Sequence, residues 1–137
     1  MRQTKSLRER IGLRIERSRA SVFLPREFKD LGGEDQVLRA LRQLVQEGRL
    51  LRLGYGVYGR AEISPLSGQP MLAAAEGFMG ASREALTKLG VAWAPSSWED
   101  AYNEGRSTQV PVNAVVRIKG RFTRRLSYRG TPLVLER

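Results

Sequence analysis

The sequence predicts an α+β chain in two parts: three helices and a β-hairpin, then a small mixed unit of helix and antiparallel strand. Three observations predict it. Apolar residues recur with a helical period up to Glu47. Strand-like runs around Gly54-Tyr55-Gly56 follow directly. The last third carries short β-rich runs separated by Gly120 and by Arg129-Gly130.

Thr4 or Ser6 caps a first helix running to about Ser18, in which Leu7, Ile11 and Ile15 recur at i+4 as one apolar stripe. Arg8, Arg10, Arg14 and Arg17 lie off that stripe, and Gly12 weakens the helix. Val22-Phe23-Leu24 reads as a short extended or buried segment. Pro25 suits the first position of a second, short helix to Leu31, with Phe28 and Leu31 as its core face. Gly32-Gly33 is a sharp break. Glu34 and Asp35 then complement the dipole of a third helix, which runs to about Glu47 and stops at Gly48. Val37, Leu38, Leu41, Leu44 and Val45 form its apolar face. Arg49 to Arg60 reads as a hairpin turning at Gly54-Tyr55-Gly56, with Tyr58 packed inward.

Three helices followed by a hairpin is the order of a winged helix-turn-helix, expected over residues 1–62, and the Gly-Gly break suits its corner. Residues 63–70 read as a linker and 71–137 as a small α+β domain. In it we expect helices from Met71 to about Gly80 and from Ser82, as cap, to about Leu89. A strand is expected at Val91–Trp93 and a helix over Trp98–Asn103 capped by Ser96 or Ser97. Strands are expected at Val112–Ile118, Phe122–Tyr128 and Pro132–Leu135.

Composition narrows the function. The 137 residues include 24 Lys and Arg against 14 Asp and Glu, a formal charge of +10 that draws the chain toward polyanions. With no cysteine and no histidine there is no disulfide, no thiolate chemistry, no Ser–His–Asp triad and hardly a zinc site to build. No apolar run approaches the ~18 residues of a membrane span. No signal-peptide core follows the basic stretch Met1–Arg10, so a soluble cytoplasmic protein is expected. The pairs Glu34-Asp35 and Glu99-Asp100 are adjacent and point apart, and Gly54-x-Gly56 lacks the rest of a dinucleotide fingerprint. We expect no enzyme, no cofactor and no metal.

Residues 1–60 hold 14 basic and 7 acidic residues, so the charge concentrates on the part whose predicted shape suits DNA. On the third helix Gln36, Arg39, Gln43 and Gln46 share the outer side, and Arg42 flanks them. Arg and Gln are the side chains that grip guanine and adenine edges bidentately in a major groove. On the hairpin Arg49, Arg52 and Arg60 bracket Tyr55 and Tyr58, a pattern suited to phosphate or minor-groove contact. Arg14 and Arg17 of the first helix add phosphate contacts. Arg117, Lys119, Arg121, Arg124, Arg125 and Arg129 form a second basic surface, either another DNA contact or a dock for an acidic protein. The bland alternative for each set is a solvated charged face.

Several stretches resemble one family. They are Val22-Phe23, Glu27-Phe28-x-Asp30-Leu31-Gly32, Val37-Leu38-x-Ala40-Leu41-x-x-Leu44-x-x-x-Gly48, Leu51-Arg52-Leu53 and Gly56-Val57-Tyr58. Downstream come Ala101-Tyr102-Asn103 and Ser107-Thr108-Gln109-Val110-Pro111. Together these resemble the AbiEi-type antitoxins and transcriptional regulators of type IV toxin–antitoxin systems, over essentially the whole chain. Glu104-Gly105-Arg106 departs from the family's Leu-Gly-Leu. The chain ends just after its last predicted strand, where relatives continue with more helix. The resemblance implies a winged helix binding promoter DNA, repression of the chain's own operon, and a C-terminal portion that counteracts a cognate toxin, commonly a nucleotidyltransferase, without the direct toxin complex of type II systems. The expected partner is therefore double-stranded DNA, with a homodimer and a cognate toxin as further expectations. The alternative is an antitoxin or inhibitor that docks protein through its basic second domain. For Ser107 to Pro111 a structural role is expected over a ligand site.

Overall fold

A computed structural model describes residues 5–97, 99, 104–105, 114–122 and 124–136. The chain is α+β, with three α-helices among these residues, and divides into two compact units, 1–75 and 76–137.

In the first unit α1 spans Leu7–Arg17, β1 Val22–Phe23, a 3₁₀ turn Pro25–Phe28, and α2 Glu34–Gln46. The strands β2 (Leu50–Gly54), β3 (Val57–Ile63) and β4 (Pro70–Leu72) follow. Of the two expected caps for α1, Ser6 is seen: its Oγ accepts the Glu9 N–H at 3.2 Å. The expected second helix is shorter, a single 3₁₀ turn begun by Pro25 and held by the Glu27 carboxylate, which accepts the Leu24 N–H at 2.6 Å. Helix α2 stops at Gly48, which takes φ +79° where a side chain would be strained.

The apolar stripes of both helices meet. Ile11 and Ile15 of α1, and Val37, Ala40, Leu41 and Leu44 of α2, join Phe23, Phe28, Leu50 and Tyr58 in one buried cluster. Strand β3 is the spine of the sheet: it pairs antiparallel with β1, β2 and β4. The register of β2 against β3 shifts between Arg52 and Gly54, an irregularity that leaves both Leu50 and Leu53 buried. Gly59 in the middle of β3 sits so close to Leu53 and Leu72 that a Cβ there would lie 2.7 Å from Leu72 Cδ1.

The stretch 63–70, expected as a linker, is instead the end of β3, a turn and the start of β4. The Ser64 N–H donates to Gln69 O (2.9 Å) and the Gly68 N–H to Ser64 O (2.8 Å). Serine, glycine and proline suit a tight turn as well as a linker. The boundary between units falls after Ala75.

The second unit holds α3 (Gly77–Lys88), β5 (Trp93–Pro95), β6 (Val115–Ile118), β7 (Ser127–Tyr128), β8 (Thr131–Pro132) and β9 (Val134–Glu136). Met71 is in β4 rather than a helix, and the two helices expected between Met71 and Leu89 are one. Ser82, expected as a cap, lies inside α3, fully buried. Strand β6 pairs antiparallel with β5 and parallel with β9, while β7 and β8 form a hairpin at Arg129-Gly130. Phe122 and Leu126 are buried in coil rather than in the longer strand expected over Phe122–Tyr128. Ser96 Oγ accepts the Glu99 N–H at 3.2 Å, the expected cap, but the helix expected over Trp98–Asn103 lies largely outside the described residues. No helix among the described residues is long and apolar enough to cross a membrane.

Candidate nucleic-acid interface

The buried positions of α2 fix what it shows to solvent. With Val37, Ala40, Leu41 and Leu44 inward, the residues at i, i+3, i+7 and i+10 from Gln36 form one outer stripe: Gln36, Arg39, Gln43 and Gln46. All four are exposed, as is Arg42 beside them. Neither Arg39 nor Arg42 takes part in an ion pair among the described residues. Glu34 and Asp35 are exposed at the first turn, where they complement the helix dipole but repel phosphate. They shift the part of this face usable for a polyanion toward Arg39 and beyond.

An open groove of about 500 Å³ runs between this face and the start of α1, lined by Ser6, Arg8, Gln36, Arg39 and Gln43 among others. The sequence pattern did not join Ser6 and Arg8 to this face. Their proximity comes from packing α1 on α2, and the local signal was only that both helices carry apolar stripes. Arg8 is turned to Glu47, 3.0 Å away.

The hairpin β2–β3 presents Arg52 and Tyr55 outward, Tyr55 being 73% exposed at the turn. Arg17 is also exposed, near the end of α1. The other arginines expected in this set are engaged inside the unit. Arg14 forms a two-pronged pair with Asp30, Nη1–Oδ1 2.7 Å and Nη2–Oδ2 2.8 Å, and also donates to Glu27 O at 3.0 Å. These hydrogen bonds hold the Asp30 carboxyl below the usual carboxylate range and raise Arg14 above its own. Arg49 lies over Gly12 and pairs with Glu16 at 2.9 Å. Arg60 donates to Ile15 O (2.8 Å), Ser18 O (2.6 Å) and Ala20 O (2.9 Å), and lies 5.5 Å over the Phe23 ring. It holds the last carbonyls of α1, which a helix leaves unpaired. Arg14, Arg49 and Arg60 are therefore less available to a polyanion than Arg17 and Arg52.

In the second unit Lys119, Arg121, Arg124, Arg125 and Arg129 are exposed. Arg117 is half-buried and donates to Glu136 at 3.1 Å, and Arg129 lies 5.2 Å over the Tyr128 ring. Ala101-Tyr102-Asn103 and Ser107 to Pro111 lie outside the described residues.

Fold and surface define a basic α+β chain with an exposed Arg/Gln helix face and an exposed hairpin tip. The chain belongs to a family of unknown function (DUF6088), which matches residues 10–126 and so takes in both units. No curated protein and no solved structure matches it.

Proposed function

We propose that the first unit is a winged helix-turn-helix that reads double-stranded DNA, and that the chain regulates transcription by occupying a promoter. Helix α2 is the reading helix and the β2–β3 hairpin is the wing. The observation that carries this is the outer stripe of α2: two arginine-and-glutamine neighbours, Arg39 and Gln43, flanked by Gln36, Arg42 and Gln46, all exposed. Two features support it. The element order helix, short strand, 3₁₀ turn, helix, hairpin is compatible with a winged helix whose second helix is reduced to one turn. The hairpin that follows it in the chain offers Arg52 and Tyr55, both exposed, to a backbone or minor groove. Antitoxin activity, which the AbiEi resemblance implies, is no part of this proposal.

Selection from a random duplex library tests the reading. The unaltered protein enriches a short motif. Arg39→Ala and Gln43→Ala each lose preference at a different base position, at a cost of about 1–3 kcal/mol per bidentate contact. Enrichment of no motif, or the same motif from all three proteins, overturns it.

A further inference from the structure

Between Glu104 and Glu136 the sequence has no acidic residue. In the second unit Phe122 and Leu126 are buried, at 9% and 2% exposure, and anchor the coil that follows β6. Around these anchors Lys119, Arg121, Arg124 and Arg125 remain exposed. None of the ion pairs among the described residues involves Lys119, Arg121 or Arg125. Seven residues of chain span at most about 25 Å, so these cations share a positive potential that gathers counterions, which a bound polyanion would release.

The chemistry of the patch discriminates between partners. A protein interface has a charge-depleted centre built on apolar or aromatic anchors. Among the described residues of this unit the one exposed large hydrophobic is Val134, at 41%. Interfaces with DNA are more polar and far more positive than those between proteins, and a phosphate backbone needs no apolar centre. Arginine also matches phosphate with its two-pronged guanidinium.

We infer that Lys119, Arg121 and Arg125 form a second phosphate-binding surface, which holds duplex DNA without regard to sequence and independently of base reading by α2. It goes beyond the proposed winged helix and stands even where that reading fails.

The test uses the full chain and a duplex of random sequence, with log K measured against log salt. Each phosphate neutralised contributes a slope of about 0.9. The variant Lys119→Gln, Arg121→Gln, Arg125→Gln is expected to lose about 2 to 3 from the slope and more than tenfold in affinity at 0.1 M salt, since each released counterion adds to both. The charge-keeping variant Lys119→Arg, Arg121→Lys, Arg125→Lys is expected to hold the original slope. If the triple glutamine variant melts early, the three single variants read the same quantity in steps of about 0.9. An unchanged slope overturns the inference. So does loss of polyglutamate binding with the DNA slope intact, which would make the surface a dock for an acidic protein. Library selection together with the same titration on the double variant Arg39→Ala, Gln43→Ala separates the two proposals. There the sequence preference goes, while the contribution of Lys119, Arg121 and Arg125 to the slope stays.

Discussion

Arg52 and Arg60 stand on neighbouring strands of one hairpin, and their guanidinium groups meet different surroundings. Arg60 reaches three backbone carbonyls between Ile15 and Ala20. Hydrogen bonds from a charged donor are worth about 1.5–3 kcal/mol each, and removing the donor strands the acceptors. We expect Arg60→Ala to destabilise the first unit by about 2–4 kcal/mol, several degrees or more in Tm. Arg52 is exposed, and its Nε makes a long contact of 3.5 Å with Gly54 O in its own turn. Its replacement by alanine should leave Tm within the ±0.5 kcal/mol usual for such surface changes. On the proposed reading it should also weaken every duplex about equally and leave the selected motif intact. Thermal melts and duplex titrations of the two variants separate these roles. An Arg60→Ala protein as stable as the parent would make that side chain as available to DNA as Arg52. A changed motif in Arg52→Ala would make the hairpin, not α2, the reader. The sequence could not sort these arginines, because what engages them is tertiary: Asp30 for Arg14, Glu16 for Arg49, the end of α1 for Arg60.

Leu41 lies fully buried where α2 meets α1 and the sheet. Leu41→Ala should cost about 2–5 kcal/mol by lost transfer energy and the cavity left behind. Gly48 ends the same helix, and a Cβ there would stand 2.6 Å from Ile63 Cδ1 in a left-handed backbone. Gly48→Ala should therefore destabilise by about 1–3 kcal/mol, although alanine is the better helix former elsewhere. Chemical denaturation of both variants is the check, and a parent-like midpoint for either would mean that the face or the terminus of α2 is misassigned. What made α2 legible is that its pattern is local: a 3.6-residue apolar period, acids at the start and a glycine at the stop all lie within 15 residues of chain, Glu34 to Gly48. Its outer stripe follows from the same period, and so was legible too. The second unit was harder because its decisive contacts are not local. Strand β6 lies parallel to β9 some 19 residues on, as in Arg117 opposite Glu136. Ser82 looks like a cap in isolation, yet the helix through it starts at Gly77 and buries it beside Ala81, Ala85 and Leu86. The 63–70 stretch shows the same limit: turn chemistry is visible in sequence, but whether the chain beyond folds back onto β3 is not.

At the scale of the whole molecule the excess of positive charge makes acid the natural stress. With all 14 carboxyls neutralised the 24 Lys and Arg would stand unopposed, against a formal +10 near neutrality. Two carboxylates, one in each unit, are held below their usual range by what they bind. Asp30 accepts the hydrogen bonds of Arg14, and Glu136 those of the Ser97 hydroxyl and N–H and then of Arg117. A carboxyl whose folded pKa is depressed binds fewer protons in the folded than in the unfolded chain. Its contribution is fully present above the unfolded value of about 4, and is lost as pH falls through the lower, folded value. Solvent reaches both pairs, the Asp30 pair more than the half-buried Glu136 pair, so salt screens them and each effect is modest. We expect the Tm of the chain at low salt to hold steady from neutrality to about pH 5 and to fall below about pH 4. Asp30→Asn should melt below the parent at pH 6, because Arg14 loses its two-pronged acceptor. The difference should then shrink as the pH is lowered, since protonation removes from the parent what the mutation has already removed. Melting curves of the two proteins from pH 6 to 2 decide the matter. A difference that stayed constant over that range would show that Asp30 acts through its shape and hydrogen bonds alone and not through its charge.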